Sequence, residues 1–119
     1  MNFANKQPIY MQIADYFCES ILKNEWKPND KLPSVREIAV QVEVNPNTAI
    51  RAFTYLQDKG IIFNKRGLGY YVSQEGYEKA LQMRKDQFFE LDLPFFIKTM
   101  QLIGLSPQDF VQLSQSINH

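Results

Sequence analysis

The sequence is poor in the side chains on which most enzyme chemistry depends. It contains one cysteine, Cys18, and one histidine, His119, which is the last residue. A single cysteine excludes an intramolecular disulfide and a multi-cysteine zinc site. A single terminal histidine argues against a serine or cysteine triad, a histidine metal site and a histidine acid–base pair. We therefore expect no catalytic residue, no metal site and no cofactor.

Charge of one sign and long apolar runs are also missing. Thirteen Lys and Arg residues balance thirteen Asp and Glu residues, so no strong global field attracts the chain to nucleic acid or to a membrane. No apolar run approaches the roughly 20 residues of a membrane-spanning helix, and the N-terminal residues lack the apolar segment of a secretory signal. These absences, with the lone cysteine, predict a cytoplasmic protein without membrane association.

The residues that are present suffice for one small domain with an appendage. The chain has 119 residues, of which 45% are hydrophobic and 13% aromatic. Compact domains most often hold about 100–150 residues, so two independent cores do not fit. Apolar residues at helical spacing, from Ile9 to Leu22, predict a first helix between Pro8 and about Asn24. Cys18 lies at the edge of this stripe and is interpreted as a small buried hydrophobe, with a reactive thiol as the alternative.

Two helix-start signals follow the proline-containing loop at 26–33. Ser34 and Glu37 form a capping-box pattern, which predicts a short helix ending near Val42 with Val35, Ile38, Ala39 and Val42 buried. Asn45-Pro46 predicts a third helix, which runs to Lys59 and stops at Gly60. A turn of only about three residues joins these two helices, which is typical of a helix-turn-helix.

The periodicity then changes from helix to strand. The segments 61–63 and 70–72 favour β-strands, and the basic, glycine-rich segment between them favours a hairpin tip. Three helices followed by a hairpin predict a mainly α fold with a small β-hairpin. We assign residues 1–74 to this winged helix-turn-helix domain.

The remaining residues, 75–119, are predicted to form a helical dimerisation tail. Helices are expected from about Glu75 to Leu91, from Pro94 to Ile103 and from Pro107 to Ile117. This segment is too short to bury its large apolar residues alone, so a second copy of the chain is expected to cover them. Packing onto the winged helix of the same chain is the alternative, and a small apolar ligand between the helices is another. The predicted dimerisation residues are Leu81, Phe88, Leu91, Phe95, Phe96, Leu102, Phe110 and Leu113.

The third helix carries the pattern that points to DNA. At 100° per residue, Ala49, Ala52, Phe53 and Leu56 face the core, so the polar residues among them point outward. Arg can bond guanine O6 and N7, and Asn can bond adenine N6 and N7. The helix N-termini offer free N–H groups to phosphates. The predicted DNA-binding residues are Ser34, Arg36, Asn45, Asn47, Thr48, Arg51, Thr54, Lys65, Arg66 and Gly67.

Each of these assignments has an alternative. The outward face of the third helix is otherwise an ordinary solvated surface. Arg36 contacts a base or phosphate, or is a plain solvated charge that can pair with Glu37. Lys65 and Arg66 at the hairpin tip contact phosphate or the minor groove, or merely keep a basic turn soluble. Between Lys31 and Val72 there are six basic and three acidic residues, a local charge of +3 that supports a patch.

Several motifs together resemble the DNA-binding domain of GntR-family bacterial transcription regulators. They are Pro8-Ile-Tyr-Met-Gln-Ile13, Leu32-Pro-Ser-Val-Arg-Glu-Ile-Ala39, Val44-Asn-Pro-Asn-Thr-Ala-Ile-Arg-Ala-Phe53 and Gly67-Leu-Gly-Tyr-Tyr-Val72. The resemblance implies a homodimeric repressor on double-stranded DNA carrying an inverted-repeat operator. The Asn-Pro-Asn-Thr segment and the short tail are similar to the YtrA-type branch. No large effector domain fits, which leaves a small-molecule effector doubtful.

A winged helix also serves other proteins as a protein-interaction module. In that alternative the aromatic-rich tail is the partner surface, and fold alone does not decide between the two functions. Binding through phosphates weakens steeply with salt, whereas apolar docking does not. An enzyme is the remotest candidate, because no nucleophile and base fall together on these elements.

Overall fold

The computed structural model describes residues 7–117, so residues 1–6, on which the expectation about a secretory signal rests, and residues 118–119, which include His119, lie outside it. The expected mainly α fold with a small β-hairpin is confirmed. The elements in chain order are α1 (Ile9–Leu22), α2 (Val35–Gln41), α3 (Pro46–Asp58), β1 (Ile62–Lys65), β2 (Gly69–Val72), α4 (Gly76–Gln87), a π-helical turn (Phe88–Asp92), α5 (Leu93–Leu102) and α6 (Pro107–Ile117).

Local side-chain caps fix where α2 and α3 begin. The Glu37 backbone N–H donates to Ser34 Oγ over 3.1 Å, and the Ser34 N–H donates to Glu37 Oε1 over 2.9 Å, so the predicted capping box forms. Asn45 Oδ1 accepts from the Asn47 N–H over 2.8 Å, with Pro46 at the first helical position. Between the helices Glu43 has a left-handed φ of 57°, which turns the chain sharply. The helix-turn-helix is therefore specified locally.

An aromatic cluster forms the centre of the core and joins α1, α3 and the hairpin. The centre of the Phe53 ring lies 5.4 Å from that of Phe17 and 4.8 Å from that of Tyr70. The Trp26 ring packs against Phe17, with ring centres 5.1 Å apart. Ile62 completes this core from β1. Because Phe53 is wholly buried, the rotation of α3 about its axis is fixed.

A third segment pairs with the edge of the two-stranded hairpin. β1 and β2 pair antiparallel from Ile62↔Val72 to Lys65↔Gly69. The loop predicted at 26–33 adds to this sheet, since Lys31 forms a bridge with Tyr71 and the Leu32 N–H donates to the Tyr70 carbonyl over 2.9 Å. The buried Leu32 side chain holds this segment against the core.

The chain separates into two compact units, one ending at Asp86 and the other beginning at Gln87. The sequence-based boundary lies earlier, between 74 and 75, because sequence alone does not reveal that α4 packs on the winged helix. Ala80 and Met83 of α4 are buried in that core. Met83 Sδ lies 4.0 Å from the thiol of Cys18. Burial raises the pKa of Cys18 to about 12, as the interpretation of a small buried hydrophobe requires.

Gly76 allows α4 to start close to the hairpin. A Cβ at this position would lie 2.8 Å from Val72 Cγ1 and 2.9 Å from the Ile61 carbonyl oxygen. We expect Gly76→Ala to lower the free energy of unfolding by about 1–3 kcal/mol, although alanine favours helix elsewhere. Urea denaturation followed by circular dichroism measures this, with Lys79→Ala on the exposed side of α4 as the control. An unchanged or raised stability for Gly76→Ala would contradict the close packing.

Three local predictions are wrong. The break expected between Leu91 and Pro94 is absent, because Asp92 and Leu93 keep helical φ and ψ. The Leu93 N–H bonds back to the Phe88 carbonyl, and this wider turn accommodates a proline that lacks an N–H. Val42, expected in the core, is 37% exposed because it is the C-cap of α2. Ile9 is exposed at the first position of α1.

Candidate nucleic-acid interface

The outward side of α3 is a continuous exposed surface opposite a fully buried one. Ala49, Ala52, Phe53 and Leu56 have no exposed surface, as the helical wheel predicts. The exposed set includes four of the predicted residues and adds Ile50, Gln57 and Asp58, while Thr48 is half-buried beside it. The exposed residues are Asn45, Asn47, Ile50, Arg51, Thr54, Gln57 and Asp58.

Two predicted DNA-binding residues, Ser34 and Asn45, are occupied as helix caps. Their side-chain oxygens accept the backbone hydrogen bonds that begin α2 and α3. Both side chains remain exposed, and the Ser34 hydroxyl keeps its proton for donation. Each residue thus fixes a helix N-terminus and lies beside the N–H groups that can face a phosphate.

The Ser34 cap gives α2 a pH dependence. Hydrogen bonds from Ser34 hold the pKa of the Glu37 carboxyl below its usual value. Because the folded pKa is depressed, the stabilisation is present above the ordinary glutamate range and is lost as the pH falls through the folded value. We expect Glu37→Gln, compared with the wild type, to lower the free energy of unfolding at neutral pH and to change it distinctly less once Glu37 is protonated, because glutamine lacks the carboxylate charge that these hydrogen bonds stabilise. Denaturation of both proteins at pH 7 and at about pH 3 tests this. Gln41→Ala, outside the cap, is the control, and a pH-independent difference would contradict the coupling.

Arg36 extends from the second position of α2 as an exposed side chain. The Glu37 carboxylate is taken up by the capping box, and no ion pair joins it to Arg36 within residues 7–117. Glu37 therefore does not pair with Arg36, and a solvated arginine stays the alternative to a DNA contact. The guanidinium is available to a ligand on this side of the helix-turn-helix.

The hairpin tip is a tight turn centred on Arg66 and Gly67. The Leu68 N–H donates to the Lys65 carbonyl over 2.8 Å, and Gly67 has a φ of +80°, as the third residue of a type II turn requires. Lys65 is the first residue of this turn. It ends β1, and its Nζ lies 4.6 Å from the centre of the Tyr71 ring. The other basic side chain of the tip, Arg66, is exposed to solvent.

Arg51 has a partner that the sequence did not reveal. Its Cζ lies 4.2 Å from the centre of the Tyr10 ring on α1, although the residue remains exposed. Tyr10 in turn meets Tyr55 edge-on, with ring centres 6.1 Å apart. No periodic signal in the sequence identifies the contact between Arg51 and Tyr10, because it joins one residue from each of two helices.

Ile50 is the other unexpected member of the exposed face. It is 46% exposed among polar neighbours. The wheel could have identified it, because residue 50 lies between Asn47 and Thr54 at helical spacing. An apolar side chain here can contact the methyl group of a thymine.

The predicted dimerisation residues divide between the two units. Leu81 lies half-buried in α4 and belongs to the first unit, whereas the other seven are exposed in the second unit. No side chain between 88 and 117 is buried, although Phe96 and Phe110 meet edge-on at 5.1 Å.

An open groove of about 380 Å³ runs between α5 and α6, lined by Phe96, Met100, Leu105, Phe110, Leu113, Ser114 and Ile117. Further exposed apolar residues outside the predicted dimerisation set are Phe89, Ile97, Ile103, Val111 and Ile117.

Residues 7–117 offer little to other chemistry. Within this range no three His, Cys, Asp or Glu side chains lie together as ligands of a metal ion. None of the helices described is long and apolar enough to cross a membrane.

Comparison with known proteins identifies the family. The model of the bacterial regulatory proteins of the gntR family matches residues 9–72, which contain the helix-turn-helix and the hairpin. The chain belongs to the GntR family. It is 36% identical over 110 residues to the transcriptional regulator YhcF of Bacillus subtilis, covering 92% of this chain and 89% of that protein. It is 43% identical over 88 residues to the transcriptional repressor YtrA of the same organism, covering 71% and 68% of the two chains.

The solved structures agree with this assignment. A GntR family transcriptional regulator from Listeria monocytogenes superposes with a TM-score of 0.75 at 32% identity, covering 94% of this chain and 96% of that one. The winged helix-turn-helix fold is thus confirmed. This GntR protein is a DNA-binding transcription regulator and not an enzyme. The family decides against the protein-interaction module as its main function.

Proposed function

We propose that this GntR regulator is a cytoplasmic homodimeric repressor that binds an inverted-repeat operator. The observation that carries the proposal is the exposed, mostly polar face of α3, which lies opposite a buried apolar face, together with an exposed basic hairpin tip. An α-helix with such a face fits the major groove of B-DNA. The wing and the two helix N-termini then face the flanking phosphates.

The residues of the interface take different roles in this proposal. Asn47 and Thr54 read base edges, with Ile50 against a thymine methyl. Thr48, at the margin of the face, contacts a phosphate or a methyl group. Arg51 bonds guanine or a neighbouring phosphate.

The remaining contacts hold the backbone of the DNA. Ser34 and Asn45 present the N-termini of α2 and α3 to phosphates, and Arg36 adds a charge beside them. Lys65, Arg66 and Gly67 hold the wing against the minor groove or its phosphates. Because the chain as a whole is neutral, weak non-specific binding is expected and discrimination rests on base contacts.

The second unit supports the homodimer. Its apolar side chains are all at least partly exposed between 88 and 117, which is unfavourable unless another surface covers them. A second copy satisfies this requirement with two-fold symmetry, which in turn requires an operator with two inverted half-sites. Repression is proposed because the relative YtrA of Bacillus subtilis is named a repressor.

Fluorescence anisotropy tests the proposal directly. One labelled duplex carries the region upstream of the protein's own gene, a second is a scrambled duplex of equal length, and random-sequence selection supplies a site if the first does not bind. We expect tight binding of two chains to one duplex, a steep decrease of affinity with salt, and weak binding to the scrambled duplex. No preference for any selected sequence, or a single bound chain, would overturn the proposal.

Arg51→Ala is the first variant to examine. If Arg51 bonds a guanine, its loss costs about 1–3 kcal/mol of operator binding and relaxes specificity at one base pair per half-site. If it bonds a phosphate, affinity falls uniformly over all sequences and the salt slope becomes shallower by about one. Competition with single-base operator variants distinguishes the two. Lys79→Ala on α4 is the control, and unchanged binding by Arg51→Ala would remove this residue from the interface.

A further inference from the structure

Arg51 belongs to a ladder of cations and aromatic rings along the seam between α1 and α3. Its guanidinium lies over the face of Tyr10, and Tyr10 meets Tyr55 edge-on. Lys59 Nζ lies 5.5 Å from the centre of the Tyr55 ring. Arg51, Tyr55 and Lys59 follow one another at intervals of four residues, so they share the side of α3 that faces α1. Each ring of the aromatic pair therefore has a cation over it, Arg51 over Tyr10 and Lys59 over Tyr55.

Tyr10 is fixed more firmly than an exposed surface ring. It is half-buried and packs against the hydrophobic core, and so does Tyr55. Burial raises the pKa of Tyr55 above its usual value, so its phenol stays neutral. The Tyr10 ring, held in place by the core and by Tyr55, therefore offers the guanidinium of Arg51 a surface of defined orientation.

The stacking leaves the hydrogen-bonding edge of Arg51 available. A guanidinium that lies over a ring uses its flat face, whereas its five N–H donors point outward in its own plane. Those donors bond guanine or phosphate in pairs. An arginine without such a platform samples many rotamers and loses this freedom when it binds.

We propose that Tyr10 is a positioning residue, which holds the Arg51 guanidinium in the orientation that contacts DNA. This inference rests on the proposed operator binding by α3. Tyr10 lies on α1, outside the helix-turn-helix and the hairpin that carry the other predicted contacts, and it acts through Arg51 without needing to touch DNA. Tyr55 supports the ring edge-on, and the hydroxyl of Tyr10 has no part in the stacking.

A double-mutant cycle in operator binding tests the coupling. We expect Tyr10→Leu to weaken operator binding by about two- to fivefold, the range of an exposed cation–π contact. Tyr10→Phe, which keeps the ring, should bind as the wild type does. In an Arg51→Ala background, Tyr10→Leu should cause no further loss. Tyr16→Leu, the same change at an exposed tyrosine of α1, is the matched control and should leave binding unchanged.

A second readout on the free protein separates positioning from folding. The Nε–Hε resonance of Arg51 in NMR spectra should shift when the Tyr10 ring is removed and should stay near its wild-type position in Tyr10→Phe. Thermal unfolding identifies any general loss of structure in Tyr10→Leu. Arg51→Lys, which keeps the charge but not the planar group, should reduce the effect of Tyr10→Leu.

The outcomes are distinguishable. If the wild type binds no operator, the proposed function fails. If the wild type binds and Arg51→Ala weakens it, while Tyr10→Leu has no effect or adds a full independent loss to Arg51→Ala, the positioning role is overturned. A loss in Tyr10→Leu that Tyr10→Phe shares would also overturn it, because the ring would not be the cause.

Discussion

Replacing Phe53 with alanine is expected to lower the free energy of unfolding by about 3–5 kcal/mol. The ring is wholly buried and touches aromatic partners from α1 and the hairpin, Phe17 and Tyr70. Its loss removes apolar burial and leaves a cavity at the point where three elements meet, which the backbone cannot readily fill. Because small domains have only about 5–15 kcal/mol of stability in all, this loss removes a large part of the total.

Urea denaturation measured by circular dichroism and by Trp26 fluorescence tests this prediction. Phe53→Leu, which keeps most of the buried volume, should cost less than about 1.5 kcal/mol. Phe63→Ala is the matched control, because Phe63 is only half-buried and lies on the outer face of the hairpin beside Tyr71. If Phe53→Ala costs no more than Phe63→Ala, the position of the core is wrong. Operator binding should fall with stability in Phe53→Ala, since the rotation of α3 depends on this ring.

The features that the sequence predicted well are those determined by neighbouring residues. The caps at Ser34 and Asn45 depend on side chains two or three positions away, and both form as expected. The buried side of α3 follows from its own apolar spacing. Once the cap and the buried face are known, the polar residues opposite them are known as well. The greater part of the candidate interface on α3 was therefore accessible without coordinates.

The features that the sequence missed depend on contacts between distant segments. The bridge between Lys31 and Tyr71 joins a proline-rich loop to a strand forty residues later. The stacking of Arg51 on Tyr10 joins two helices in the same way. Neither contact has a periodic pattern, because each involves one residue from each segment. Met83, buried although its helix is mostly polar, was missed for the same reason.

The second unit presents the opposite case, in which the helices were predicted but their exposed faces were not distinguished. Apolar residues occur on several sides of α5 and α6, so spacing does not single out one buried stripe. Ser106 and Asp109 cap α6 reciprocally, over 2.9 and 3.1 Å, so this unit is ordered by local bonds although its apolar side chains remain exposed. Because its helices are already formed in the single chain, this surface loses little conformational entropy when a second copy binds.

Introducing a charge on that surface gives the largest effect expected on DNA binding. We expect the double variant Leu102→Glu/Leu113→Glu to be monomeric and to bind the operator about 10²–10⁴-fold more weakly, because the two half-sites then bind independently. Leu102 is 86% and Leu113 50% exposed, so neither change should unfold the single chain. In a dimer that covers these positions, however, two unpaired carboxylates per chain would be buried at high cost.

The neighbouring glutamines provide a matched control for this variant. Gln101→Glu/Gln112→Glu adds the same charge one residue earlier, at exposed polar positions of the same two helices. It should remain dimeric and bind with nearly the wild-type affinity, apart from a small electrostatic loss that salt removes. Sedimentation equilibrium gives the oligomeric state, and anisotropy on full and half operators gives the affinity. A Leu102→Glu/Leu113→Glu protein that stays dimeric would place the interface elsewhere. A monomer that still binds the full operator tightly would show that dimerisation does not provide the affinity, since each winged helix would then bind its half-site unaided.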